Sequence, residues 1–344
     1  MGVDLRELIP PEASRELELS ELSGRVVALD AYNVLYQFLA AIRQPDGSPL
    51  VDSKGRVTSH LSGLFYRTVN FVELGLRPVY VFDGAPPSLK ERELERRRKL
   101  KEEAEEKFKL AAAEGRVEEA RRYAQIASRL TDEMVSDAQR LLDAMGVPWV
   151  QAPAEGEAQA AHIAAKGDAW AAGSQDYDSL LFGAPRLLRN LAITGRRKLP
   201  KKDVYVEVKP ELIEAEKLYK ALGLTREHLI VIAILLGTDY NPGGVRGVGP
   251  KTALKIVRSH ADPREALRSL PPSPIDYEEI FEAFLRPRVT DDYSLEWRSP
   301  DHEAVKRILV EEHDFSEERV ETALRRLEQA TSRRRTRGLD AWLK

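Results

Sequence analysis

The sequence predicts an α/β fold: a twisted, mostly parallel central sheet between helical layers. Short apolar runs such as Val26-Val27-Ala28-Leu29 and Pro78-Val79-Tyr80-Val81-Phe82 alternate with longer segments of helical periodicity. Strands buried on both faces of a parallel sheet read as such unbroken apolar runs. Both runs stop at a carboxylate, Asp30 and Asp83, at the strand end where parallel sheets bind ligands. A third feature departs from the pattern. Residues 88–130 are rich in Arg, Lys, Glu and Ala and contain no proline, so they predict helices too polar to be buried in a core.

In chain order, strands are expected over 25–30, 78–83, 148–152 and 169–174, with weaker strand patterns at 186–191 and 203–208. Helices are expected over 59–74, 134–145 and 156–166. The polar segment reads as a projecting helix pair inserted between the second and third of these strands, divided near Gly115. From Glu211 onward the chain is expected to be mainly helical. One helix covers 224–236, a Gly-rich turn covers 243–249, and another helix runs from Lys251 to Ser259. Pro271, Pro272 and Pro274 mark a loop. Helices over 301–310 and 316–330 precede an Arg-rich tail expected to be disordered. This gives one domain over 1–330 and a flexible tail over 331–344.

The 344 residues include no cysteine, which excludes disulfides, thiolate metal sites and thiol nucleophiles. The longest apolar run, Leu229 to Leu236, is far short of the ~20 residues of a membrane span, and no secretion signal is visible. A soluble intracellular protein is expected. The formal net charge is −3, but distribution matters more than the sum. Seven Arg or Lys and no acid lie between Arg186 and Lys202, and Arg96 to Lys99 and Arg333 to Arg337 are further basic tracts. Alone, each reads as a solvated face; beside an acidic pocket they would attract phosphates.

Seven acids form that expected pocket. Asp30 and Asp83 end strands; Glu155 and Glu157 open a helix after Pro153; Asp176 and Asp178 stand two apart; Asp239 follows an apolar helix and Gly237-Thr238. Any one of them reads as a cap or turn residue. If all share one sheet edge they need cations, because two carboxylates about 4 Å apart repel by roughly 4 kcal/mol at an effective dielectric of 20. With no Cys and no paired His on offer, a hard cation such as Mg²⁺ is expected.

Together these residues resemble the flap endonucleases, structure-specific 5′ nucleases of replication and repair, in their archaeal form. The resemblance rests on Asp30-Ala31 with Tyr36, Thr58-Ser59-His60-Leu61, Val81-Phe82-Asp83-Gly84 with Pro86-Pro87, Glu155-Gly156-Glu157-Ala158, Ser174-Gln175-Asp176-Tyr177-Asp178 and Gly237-Thr238-Asp239-Tyr240. It implies a helical arch (about 84–131) over the site. It further implies that the seven acids hold two Mg²⁺, for which Mn²⁺ can substitute, some through water. By the same resemblance Lys90 and Arg97 contact the scissile phosphate and Tyr36 stacks on a base. A helix-two-turn-helix (about 226–260), with Gly247, Gly249, Lys251 and Thr252, would grip duplex backbone with a bound K⁺. The tail residues Leu339, Trp342 and Leu343 resemble a sliding-clamp peptide, although Thr336 stands where Gln is usual and Leu343 where a second aromatic is usual. The implied protein is a monomer acting on flap, nicked or gapped DNA, cytoplasmic and nucleoid-associated.

Rival readings remain: a junction-resolving or 5′-exonuclease relative, an Asp-nucleophile phosphatase, and a non-catalytic clamp scaffold. The phosphatase would need Asp-x-Asp after the first strand, where this chain has Asp30-Ala31-Tyr32. The scaffold would have no use for seven intact acids.

Overall fold

The structure, a computed structural model, describes residues 2–44, 47–126, 129–193, 195–198, 205–272 and 275–342. Its main sheet is built from β1 (Ser14–Glu16), β2 (Val26–Asp30), β3 (Arg77–Phe82), β4 (Trp149–Gln151), β5 (Ala171–Gly173), β6 (Arg186–Arg189) and β9 (Glu211–Glu214). The strand order is β1-β9-β6-β5-β2-β3-β4. From β6 to β4 every pairing is parallel, while β9 runs antiparallel to both β6 and β1. A separate hairpin pairs β7 (Gly195–Lys198) with β8 (Tyr205–Val208). Part of the strand expected over 203–208 lies outside the described residues.

Each face of the sheet carries its own apolar layer. On one side α1 (Ala31–Ala41), α2 (Ser59–Glu73) and α5 (Asp132–Ala144) supply Leu35, Phe38, Phe65, Phe71, Leu141 and Leu142. On the other, α6 (Gly156–Ala165), α9 (Arg226–Leu236) and α12 (Tyr277–Leu285) supply Ile163, Leu229 to Leu235, Phe281 and Phe284. The run from His228 to Leu235 is buried throughout, as befits a helix apolar on all sides. Parallel strands covered on both faces leave their carboxyl ends as the accessible edge.

The polar insertion folds as α3 (Glu91–Ala113) and α4 (Val117–Ile126). Between them Gly115 adopts φ +70°, with open space where a side chain would stand. Their surface is held by helical ion pairs such as Lys99 with Glu95 at 3.0 Å and Lys109 with Glu105 at 3.2 Å, each of small individual weight. Two expectations are corrected. Residues 211–214 form a strand, because adjacent Leu212 and Ile213 are both buried, flanked by Glu211 and Glu214, and the segment pairs with β6 and β1. The chain after 330 does not lose its structure at once: α14 runs from Glu317 through Trp342. Its Arg, Leu, Gln and Ala content favours helix, and no proline intervenes.

Candidate active site

The carboxyl ends of β2, β3, β4 and β5 converge on one pocket. Asp30, the last residue of β2, caps α1 by accepting from the Asn33 backbone N–H at 3.0 Å. Asn33 Nδ2 donates to Asp176 at 3.2 Å, and the Gln175 backbone N–H donates to Asn33 Oδ1 at 3.2 Å. One residue, through its backbone N–H and its side-chain amide, thereby ties the β2 acid to the loop beyond β5. Asp83 follows β3 and accepts from the Gly156 backbone N–H at 2.6 Å. That approach needs glycine: a Cβ on Gly156 would lie 2.8 Å from the Val81 carbonyl oxygen and 2.9 Å from Asp83 Oδ1.

Glu157, in the first turn of α6, accepts from the Ser179 backbone N–H at 3.0 Å and from its hydroxyl at 2.7 Å. This places it against Asp178, the first residue of α7 (Asp178–Leu181). The Val3 backbone N–H donates to Asp178 Oδ1 at 2.8 Å. A Cβ on Gly2 would stand 2.5 Å from that same oxygen. Glu155 accepts from the Tyr240 hydroxyl and pairs with Lys90. Asp239, held in the turn after α9, pairs with Arg97 and stands 3.4 Å from Lys90.

The electrostatics follow from this crowding. Burial, then Asp83, pushes the Asp30 carboxyl up to about 8. Burial and Asp176 push Asp178 up to about 7. Glu157 is raised well above its ordinary range by burial and by Asp178, Asp176 and Asp30. Asp83 is raised by burial against the opposing Gly156 hydrogen bond and Lys90. Asp239 differs: burial alone would raise it, but Lys90 and Arg97 hold it below the usual carboxylate range. For Lys90, burial would favour loss of the proton, yet Glu155 and Asp239 raise it.

All seven predicted acids therefore share one site, and the two predicted arch cations lie on it. Donors that are all oxygen, crowded until several prefer to stay protonated, are what a hard cation site requires before it fills. Asp30, Asp83, Glu155, Glu157, Asp176, Asp178 and Asp239 fit that role. Tyr36, on α1, meets the insertion: Lys101 Nζ donates to its hydroxyl at 3.1 Å and lies 4.5 Å from its ring centroid.

At the second predicted element Gly243, Gly244 and Gly247 have φ of +89°, +59° and +81°. A Cβ on Gly244 would meet the Leu235 carbonyl oxygen at 2.4 Å. Gly249 has φ −103°, a conformation open to any residue, and caps α10 (Pro250–Arg258) with open space around it. Its lack of a side chain thus answers no internal contact and leaves the helix N-terminus approachable. Lys251 and Thr252 are exposed in that first turn. The backbone of Leu339 and Trp342 lies in the last turns of α14, and Leu343 lies outside the described residues.

Four contributors escaped the sequence reading. Asn33 stands three residues beyond Asp30, where its backbone N–H meets the capping carboxylate, but its side chain reaches Asp176 and Gln175, which no local spacing signals. Tyr240 and Ser179 each directly follow an acid already singled out. Glu93, only 3 % exposed, accepts from Arg96 Nε at 2.7 Å and from Arg97 Nε at 2.8 Å, and its i,i+4 spacing to Arg97 was the available signal.

A polar helical insertion delivering cations onto an acidic sheet edge, with a glycine-bounded helix N-terminus beside it, defines a metal-dependent nuclease of DNA. The XPG N-terminal domain matches residues 1–104 and the XPG I-region matches residues 146–239. The chain is 66 % identical to flap endonuclease 1 of Hyperthermus butylicus, covering 100 % of both chains, and 58 % identical to that of Pyrococcus furiosus with the same coverage. The solved flap endonuclease-1 of Methanococcus jannaschii superimposes with a TM-score of 0.77 at 44 % identity, covering 97 % of this chain and 100 % of that one. The catalytic core of Rad2 in complex with DNA substrate gives 0.69 at 25 % identity, covering 95 % and 100 %. This chain belongs to the flap endonuclease 1 family.

Proposed function

We propose that the chain cuts 5′ flaps at the junction of single- and double-stranded DNA. It hydrolyses a phosphodiester bond with two Mg²⁺, or Mn²⁺, held by the seven acids. The observation that carries this reading is the docking of Lys90 and Arg97 on Glu155 and Asp239. Cations of the arch reach the acids themselves, so a phosphate bound there would lie within reach of both. When bound, the metals supply an activated water and stabilise the leaving oxygen.

The protein's own groups do the rest. Lys90 and Arg97 exchange a carboxylate for the scissile phosphate and offset charge developing on it. Glu93 fixes the Arg97 guanidinium as it turns. Ser179, Gly156 and Asn33 hold Glu157, Asp83 and Asp176 at fixed angles, which is positioning rather than acid–base work. Tyr36 supplies a flat face for a base beside the cut.

Specificity comes from shape. The α10 N-terminus with Gly247, Gly249, Lys251 and Thr252 offers backbone N–H groups and a cation to phosphates, with K⁺ in the preceding turn, and reads no base edge. A nicked or gapped duplex bends at low cost, which suits such a reader. In this reading residues 1–330 act as one monomeric nuclease domain, with arch 84–131 and helix-two-turn-helix 226–260. The domain also degrades DNA 5′ to 3′ and matures lagging-strand fragments at the nucleoid. Leu339, Trp342 and Leu343 dock a sliding clamp. No helix among the described residues is long and apolar enough to cross a membrane.

The test is cleavage of an end-labelled double-flap DNA with Mg²⁺, beside blunt duplex, single strand and a four-way junction. Mg²⁺-dependent release of the intact 5′ flap, abolished in Asp176→Ala, is expected. Binding without cutting would favour the scaffold reading, and equal cutting of all substrates a general exonuclease.

A further inference from the structure

Away from the seven acids, Asp137 on α5 meets Glu312 and His313, which follow a π-helical turn over Arg307–Glu311. Their ligand atoms all lie within 4.8 Å of one another, the one such group of His, Asp and Glu among the described residues. Single π turns are rare and recur at functional sites.

His313 is 3 % exposed, and its two ring nitrogens differ. Nδ1 lies 3.3 Å from Asp52 Oδ2. Asp52 is itself fixed by Arg56 Nε at 2.8 Å and by the Lys54 and Arg56 backbone N–H groups at 3.0 and 2.8 Å. Nε2 makes no hydrogen bond and stands 3.4 Å from Asp137 Oδ2. A carboxylate that takes the Nδ1 proton leaves the lone pair on Nε2, which is how histidine ligands to metals are oriented. Here that nitrogen is buried beside two carboxylates, with Asp137 Oδ2 at 3.4 Å and Glu312 in the same cluster.

A cation already occupies those carboxylates. Arg140 Nη1 lies 2.9 Å from Asp137 Oδ1 and 3.0 Å from Glu312 Oε2, and its Nη2 lies 2.8 Å from Glu312 Oε1. The Arg140 side chain is 43 % exposed. It lines an open cavity of about 620 Å³ with Asp143, Arg298, Asp301 and Arg307. That cavity gives Arg140 room to withdraw towards Asp143 and Asp301, away from the three side chains.

We propose that Asp137, Glu312 and His313 form a second metal site, separate from the catalytic acids, for a borderline divalent ion of the Zn²⁺ class. One imidazole and two carboxylates make a mixed nitrogen–oxygen set that suits Zn²⁺ better than Mg²⁺ or Ca²⁺. Ligand atoms within 4.8 Å of one another need only small side-chain shifts to reach ~2.0–2.2 Å bonds to a shared ion. Binding would staple α5 to the turn that leads into α14, and through Asp52 to the loop before α2.

The test uses the metal-stripped full chain with its catalytic acids saturated by Mg²⁺. Cu²⁺ serves as a spectroscopic probe, because none of the seven catalytic acids is a nitrogen ligand. Electron paramagnetic resonance should show coupling to one imidazole nitrogen, lost in His313→Gln. Zn²⁺ affinity should fall at least tenfold in His313→Gln and in Glu312→Gln, and be unchanged in Asp176→Ala. Arg140→Ala removes the competing cation and should tighten Zn²⁺ binding. That gain of binding cannot come from misfolding. Nitrogen coupling that survives His313→Gln, or Zn²⁺ affinity indifferent to both Glu312→Gln and Arg140→Ala, would overturn the proposal. The network would then be an ion-pair lock in which Arg140 is the resident cation.

Discussion

Metal loading of the seven-acid site should release protons, because several of its carboxyls are pushed up by burial and by one another. With Asp30 at about 8 and Asp178 at about 7, the first is roughly nine-tenths protonated at pH 7 and the second about half. Divalent ions bind the ionised forms, so filling the site at pH 7 should expel about one and a half protons from this pair. Glu157 and Asp83, also raised, add to that. The sign for stability follows. These acids sit above their unfolded values, so the metal-free chain loses stability as pH rises from about 4 through 8, at up to about 1.4 kcal/mol per unit per group. Metal binding opposes that loss. Calorimetric titration of Mg²⁺ at pH 7, in buffers of differing ionisation enthalpy, counts the protons from the slope. The slope should fall towards zero by pH 9, and Asp30→Asn should lower it by close to one proton at pH 7. Heat independent of buffer at pH 7 would refute the account of the site as a cluster held partly neutral until metal arrives.

Lys90→Met should lower kcat by about 10² to 10³, as loss of one stabilising group at a phosphate does, with KM for flap DNA changing far less; single-turnover kinetics separates the two. Glu93→Gln should keep the fold but free Arg97, cutting kcat by roughly tenfold, while Arg97→Lys should not restore a two-point contact; circular dichroism confirms the fold and single-turnover kinetics reads the rate. His60 is buried with both ring nitrogens unpartnered, and burial, then His313, lowers it from 6.5 to about 3. Its contribution to stability is therefore present above pH 6.5 and lost as pH falls towards 3, at about 1.4 kcal/mol per unit. Urea unfolding of His60→Leu between pH 7 and 5 should show a shallower decline than the parent chain.

The acidic edge was legible because each acid follows a signal readable in one dimension: an apolar strand that stops, a Pro-Ala-Glu helix start, a doublet two apart. Parallel strands buried on both faces put those stops on one side of the sheet. What was not legible depends on tertiary proximity. The Asn33 side chain reaches Asp176 across 143 positions of sequence, and the Val3 backbone N–H reaches Asp178 across 175. Neither side-chain type nor spacing announces such bonds. The strand over 211–214 is too short to reveal a period. Glu93 looked like one acid among many on a charged helix, until its burial separated it from the solvated ones.

The insertion leaves the core after Asp83 and is back in it by α5, so the chain over the acids is a hoop with both feet anchored. Arg43 Nη2 donates to the Ala124 carbonyl at 3.1 Å on one side, and Lys90 grips Glu155 on the other. A hoop and a pair of fingers can have the same contacts but differ in topology. Cutting the backbone at the Gly115 turn, where open space surrounds the residue, would make the second from the first with no catalytic group removed. Through the intact hoop a strand can pass only end-first, whereas between severed fingers it can also be laid in sideways. A DNA strand blocked at its 5′ terminus distinguishes the two, and the permuted chain with its new ends at Gly115 is the reagent that asks whether passage needs a free end.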